Sequence, residues 1–297
     1  MLRAIVLGLV QGLTEFLPVS SSGHLVVVPY LLGWPQPTLA FDVALHAGTL
    51  VAVVAYFAGD IWYLTTRSLG IGVVEGGETA RVRLTLALLA VGSVPAALAG
   101  LTLESVVALA FARPLWVAGL FLVTAALLTV AEAARRRRAR AVVAGGAMDA
   151  HPRVPADVDP GRDETTVGWV DALVVGAAQA LALFPGISRS GATIAVGMLR
   201  GLSREAAARF SFLLMIPAVA GATILKVPDL AGVEAGGFSP AAIVVGAAVA
   251  AVSGYWAVSY LLRLVQTDDL TGFARYLVLA AVLVGAAYLW IGPVSHV

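Results

Sequence analysis

The sequence predicts an all-α polytopic membrane protein built as an inverted repeat. Each half holds one re-entrant helix-loop-helix and three transmembrane helices, six spans in total. Three observations predict it. The 297 residues are 60% hydrophobic and 12% charged, with a mean hydropathy of +0.92, whereas a soluble domain carries roughly 25% charge. Six apolar segments are long enough to cross ~30 Å of hydrocarbon. A polar cassette interrupts the apolar sequence twice, and its two copies lie 168 residues apart without a gap.

The first copy reads Gln11-Gly-Leu-Thr-Glu15-Phe16-Leu-Pro18-Val-Ser20-Ser21-Ser22-Gly23-His24. The second reads Gln179-Ala-Leu-Ala-Leu-Phe184-Pro185-Gly186-Ile-Ser188-Arg189-Ser190-Gly191-Ala192. They break two apolar stretches, 3–32 and 170–200, into halves too short to span alone. Pro18 and Pro185-Gly186 end the first half of each, because proline lacks a donor and clashes with the preceding turn. The serines that follow supply N-caps for the second half. Irregular backbone at membrane depth must be buried in protein or face a wet cavity, so both stretches are expected to be re-entrant hairpins.

The first repeat, 1–132, then holds spans near 39–58, 84–102 and 113–132. The second, 168–297, holds spans near 208–226, 240–262 and 273–291. A hairpin adds no crossing and three spans add an odd number, so the second copy is upside down relative to the first. Between them, residues 133–167 are rich in Arg, Ala, Gly, Asp and Pro and read as a flexible cytoplasmic linker. With that linker inside, only Arg3, Arg113 and Lys226 of the 19 basic residues fall outside, and Arg189 sits in the second loop. That bias follows the positive-inside rule. The run Arg135-Arg136-Arg137-Arg138 is read as its anchor, not as a nucleic-acid patch, because no aromatics are interleaved with it. Arg3 and the apolar start resemble a leader, but Gln11, Glu15 and Pro18 interrupt it, and the segment is read as mature structure. Cysteine is absent, which excludes thiolate and disulfide chemistry.

Polar groups at membrane depth mark function. Gln11 and Glu15, at i and i+4, share one helix face. A hairpin brings Glu15 towards His24, and a carboxylate beside an imidazole makes a general acid or base. Alternatively, the oxygens of Gln11 and Glu15 hold a divalent cation. In the second loop Gly186, Ser188, Arg189, Ser190, Gly191 and Thr193 surround a guanidinium at a helix start, an anion site. Its rival reading is a structural arginine paired with Glu15. Ser21 and Ser22 are candidate nucleophiles, with water as the alternative. Together the loops suit phosphoryl transfer from a lipid-linked phosphate. Asp42 and His46, also i and i+4, are a weaker signal, explained equally well by hydrogen bonding within the bundle.

The two cassettes, with the match continuing through Ile194 to Phe212, resemble the signature motifs of the bacterial undecaprenyl-diphosphatase family of the bacitracin-resistance type. The resemblance implies an integral enzyme of the bacterial plasma membrane that removes the terminal phosphate of undecaprenyl diphosphate, recycling the lipid carrier for wall synthesis. It implies a divalent cation, Mg2+ or Ca2+, and a site opening to the extracytoplasmic side. A homodimer is compatible with it. Carried over by position, Glu15, His24, Ser21 and Arg189 are the catalytic candidates. Ser20, Ser22, Gly186, Ser188, Arg189, Ser190 and Thr193 would bind phosphate, and Gln11 and Glu15 the cation. Two departures stand out. Many members have Glu at Gln11 and Thr at Ser22. The runner-up reading is a secondary transporter or flippase for an anionic polyprenyl lipid, which needs Arg189 but no proton shuttle at His24.

Overall fold

The computed structural model describes residues 1–72, 77–111, 113–145, 159, 161–226 and 237–292. Among them the regular structure is helical, twelve α-helices and one 3-10 turn. The chain starts with α1 (Leu2–Phe16) and α2 (Ser21–Leu32), then α3 (Leu39–Tyr56), α4 (Ala58–Ser68), α5 (Glu78–Thr102), α6 (Glu104–Phe111) and α7 (Pro114–Gly145). It continues with α8 (Trp169–Leu181), α9 (Arg189–Leu199), α10 (Arg204–Lys226), α11 (Pro240–Thr267) and α12 (Thr271–Ile291).

Six of these are long and apolar enough to cross a membrane: α3, α5, α7, α10, α11 and α12. They coincide with the six expected spans. The two broken stretches are present as the pairs α1/α2 and α8/α9. Their helices have 15, 12, 13 and 11 residues, about 16 to 23 Å each at 1.5 Å per residue, and none crosses by itself. In the first pair Leu17 leaves the helix in an extended conformation, as a residue before proline must. In the second the helix stops at Leu181, ahead of the expected break at Pro185-Gly186.

The broken pairs are held by close backbone contacts with spans of the opposite half. In α1, a Cβ added at Gly8 would come within 2.5 Å of the Gly246 carbonyl oxygen on α11. In α8, a Cβ on Gly176 would run into the Gly92 carbonyl oxygen on α5. Gly8 and Gly176 are themselves 168 residues apart, so the packing of the two half-helices repeats with the cassettes. Behind them an apolar core surrounds Phe16, Phe57, Phe121 and Phe212. The Phe16 and Phe212 rings meet edge-on at 5.8 Å. Trp62, Trp256 and Trp290 are exposed, as anchors at a membrane interface are.

The first part of the segment expected as a linker, from residue 133, is helical. Helix α7 carries on to Gly145, because the basic run is tied down on both sides. Arg135 is bonded to Glu132 at 3.1 Å, and Glu132 accepts the Leu270 N–H at 3.1 Å. Arg136 pairs with Asp269, and Arg138 donates to the Met198 carbonyl. At the far end Arg162 binds Asp171 at 2.9 Å beside Arg200. Both ends of the expected flexible segment are therefore fixed. Residues 146–158 lie outside the described ones.

Candidate active site

The two cassette loops meet. Ser20 caps α2 with its backbone at φ 73°, a region non-glycine residues rarely occupy. Its Oγ accepts the N–H groups of Gly23, at 3.3 Å, and of Gly186, at 3.1 Å in the other loop. Ser188 caps α9 in the same way, accepting from Gly191 N–H at 3.0 Å, and Ser190 donates back to the Leu17 carbonyl at 3.1 Å. Gly186 turns at φ 106° against Val117 and Leu120 of α7, a conformation open to glycine. Thr124, also on α7, receives the Ser188 N–H at 3.0 Å and donates to the Gly186 carbonyl at 3.1 Å. The second loop is thus fastened to a span that sequence reasoning had not connected with it.

At the junction lies Glu15, 7% exposed. Its Oε1 accepts from Arg189 Nη2 at 2.9 Å. Its Oε2 accepts from Gln11 Nε2 at 3.1 Å and from the Ser21 hydroxyl, and His46 Nε2 stands 3.9 Å away. The rival reading of Arg189, pairing with Glu15, is therefore present, yet it uses only part of the guanidinium. Arg189 Nη1 is buried without a partner, and so is Gln11 Oε1. An unmade hydrogen bond at a buried polar atom costs about 1–3 kcal/mol, so these two atoms beside one ion pair leave a donor and an acceptor open to a ligand or water.

His24 has partners that the sequence reading did not name. Its Nδ1 donates to the Ser20 carbonyl at 2.7 Å, one turn back along its own helix. That bond sets the ring beside Phe121 and Tyr276, where Nε2 meets the Tyr276 hydroxyl at 2.7 Å. The imidazole beside Glu15 is that of His46, from α3. Thr193 donates to the Arg189 carbonyl and shares a 2.5 Å bond with Ser211. The Ser22 hydroxyl lies 3.4 Å from that of Ser20, and the Ser188 and Ser190 hydroxyls are 3.2 Å apart. Thr124, Tyr276 and Ser211 escaped the sequence reading because each reaches the loops from a different helix, Tyr276 from 252 residues away.

Among the described residues no three His, Cys, Asp or Glu side chains gather as a metal site. The oxygens present still fit a hard cation. Gln11 Oε1 is buried and unpartnered next to the Glu15 carboxylate, and such ions commonly take one or two protein oxygens and complete their shell with phosphate and water.

A six-span helical protein whose two broken helices close over a buried carboxylate, guanidinium and hydroxyl set falls in the class of multi-pass membrane enzymes. The sequence model of the bacitracin resistance protein BacA family matches residues 4–283, and the chain belongs to that family. An undecaprenyl-diphosphatase of Geobacter sulfurreducens is 44% identical over 292 residues, covering 97% of this chain and 98% of its own length. One of Moorella thermoacetica is 39% identical over 287 residues, covering 97% of each. One of Desulfosudis oleivorans is 44% identical over 300 residues, covering 98% of each.

Proposed function

We propose that this chain hydrolyses undecaprenyl diphosphate to undecaprenyl phosphate and inorganic phosphate, recycling the lipid carrier of wall synthesis and thereby giving resistance to bacitracin. The observation that carries the reading is the half-used guanidinium of Arg189, with Nη2 on Glu15 and Nη1 buried without a partner. A planar fork with a donor to spare is suited to phosphate. The starts of α2 and α9 add backbone N–H groups and positive dipole ends at the same junction.

In this reading Arg189 and the two helix starts hold the terminal phosphate. The Ser21 hydroxyl, already donating to Glu15, is the nucleophile with Glu15 as its base. The Ser21 oxygen bonds to the terminal phosphorus and its proton passes to Glu15. The bond from that phosphorus to the bridging oxygen breaks, and undecaprenyl phosphate leaves with that oxygen. Water then cleaves the phosphoserine, releasing phosphate. Water attacking directly with the same base is the alternative. A Mg2+ or Ca2+ ion on Gln11 and Glu15 would neutralise diphosphate charge. His24 reaches substrate by exchanging its bond to Tyr276.

The offset shared by the cassettes and by the Gly8 and Gly176 contacts supports an inverted repeat, 1–132 and 168–297, with both broken pairs re-entrant. Under the positive-inside bias the α1/α2 loop enters from the extracytoplasmic side of a bacterial plasma membrane, and the site opens there. The test is phosphate release from undecaprenyl diphosphate by detergent-purified protein. Arg189→Ala should lower turnover by about 10²–10³, the loss typical of one charge-stabilising donor. Near-native release by a folded Arg189→Ala variant would remove the clamp, and no release by the native chain would refute the reading.

A further inference from the structure

His46 was the weakest of the sequence signals, and the structure gives it a definite place. Its Nδ1 lies 2.8 Å from the Asp42 backbone carbonyl, one turn back on α3. A carbonyl only accepts, so Nδ1 carries the hydrogen, and in the neutral ring Nε2 is a bare lone pair. That lone pair faces Glu15 Oε2 across 3.9 Å. The distance is too long for a hydrogen bond. Either a proton on Nε2 or a cation between the two atoms would join them. Two ligands of one divalent ion, each roughly 2.1 Å from it, stand about 3 to 4 Å apart. Gln11 brings a third donor. Its amide nitrogen is on Glu15, and its Oε1 is buried with no partner. Asp42, on the same helix face as His46, also leaves Oδ1 buried and unpartnered. The His46 side chain is 33% exposed, so an ion can reach it.

We propose that His46 is a ligand of the cation held by Gln11 and Glu15, and that its imidazole makes this site favour a transition-series divalent ion such as Mn2+ over Ca2+. The inference rests on the cation reading above and deepens it. The donor set becomes one carboxylate, one amide oxygen and one imidazole nitrogen. Calcium prefers oxygen throughout, while manganese accepts oxygen and nitrogen together. The set draws on three separate places in the chain, α1 twice and α3 once. His24 is excluded from it because both of its ring nitrogens are engaged elsewhere.

The test uses the full chain without a polyhistidine tag, in detergent, with substoichiometric Mn2+ and inorganic diphosphate. Electron spin-echo spectra of the bound ion should show imidazole 14N modulation in the native protein and in His24→Ala, and lose it in His46→Gln. Titration should show Mn2+ binding weakened roughly 10- to 100-fold in His46→Ala, on the scale of disturbing a metal's ligand environment. His46→Gln, which restores an oxygen donor, should recover most of that loss and narrow the preference for Mn2+ over Ca2+. Tight Mn2+ binding with no 14N modulation, or an unchanged affinity in His46→Ala, overturns the role of His46 while leaving a cation on Gln11 and Glu15. If the folded native chain binds no Mn2+ even with diphosphate, the cation reading falls and this proposal with it.

Discussion

Ser20 is the point at which one of the bonds joining the two loops can be removed with a single atom. Its Oγ takes two N–H groups, Gly23 in its own helix and Gly186 in the other loop. Ser20→Ala removes a helix cap, about 1 kcal/mol, and leaves the Gly186 N–H buried and unpaired, about 1–3 kcal/mol. The expected loss is therefore about 2–4 kcal/mol. Alanine also keeps the strain of φ 73°. Ser20→Gly loses the same bonds but relieves a left-handed conformation that costs an L-residue about 1–2 kcal/mol, less the extra freedom of glycine in the unfolded chain. It should be milder than Ser20→Ala by about 1 kcal/mol. Unfolding by sodium dodecyl sulfate in mixed micelles, followed by circular dichroism, measures both, and phosphate release follows site integrity. Ser20→Ala within 0.5 kcal/mol of native, a margin ordinary for surface changes, would show that the hydroxyl does not fasten the loops. Equal losses in the two variants would show that the backbone at Ser20 is unstrained.

Gly176→Val should destabilise by about 1–3 kcal/mol or more in the same unfolding measurement, since overpacking has no room to relax against the Gly92 carbonyl. Gly285→Ala on α12, where an added Cβ meets nothing within 4 Å, should be neutral or stabilising. Replacing residues 146–158 by a Gly/Ser stretch of equal length should leave phosphate release intact, whereas deleting 141–163 removes Arg162 and its bonds to Asp171 and the Arg200 carbonyl and should lower the yield of folded protein. Excess EDTA should stop phosphate release and added Mg2+ or Mn2+ should restore it; turnover that persists in the chelator would refute the cation's role.

The spans were legible because hydrophobicity over 18 or more residues is a constraint that bilayer thickness imposes, and tertiary packing hardly alters it. The breaks at Pro18 and in the Ser runs were legible for a local reason, missing donors and caps. Helices α4 and α6, with 11 and 8 residues, carry neither signal. The length of α7 was hidden because Asp269 and Met198 hold its arginines from other parts of the chain, while Glu132 braces Arg135 from one turn back on the same helix. Within the site, Gln11 and Glu15 announced themselves by their i, i+4 spacing. The partner of His24 did not, because a one-turn bond to the Ser20 carbonyl decides where that ring points, and a 252-residue contact with Tyr276 completes it. Spacing along the chain placed Glu15 and His24 in one hairpin but could not say which groups the imidazole would bond.

The offset of 168 residues between the two cassettes also bears on how two similar loops come to differ. Ser21 and Arg189 occupy the same position in the two cassettes, the first residue of α2 and of α9. Both reach Glu15, Ser21 through Oε2 and Arg189 through Oε1. A single carboxylate thus receives the equivalent positions of both halves. In the second copy the residue corresponding to Glu15 is Leu183, and His24 corresponds to Ala192. Two carboxylates facing each other at one buried junction would repel and push a proton onto one of them. With leucine opposite Glu15 and arginine opposite Ser21, the junction instead holds a carboxylate–guanidinium pair with a spare donor on Arg189. In the proposed mechanism the first copy supplies the hydroxyl and the base and the second the anion clamp, so neither loop would be a site without the other.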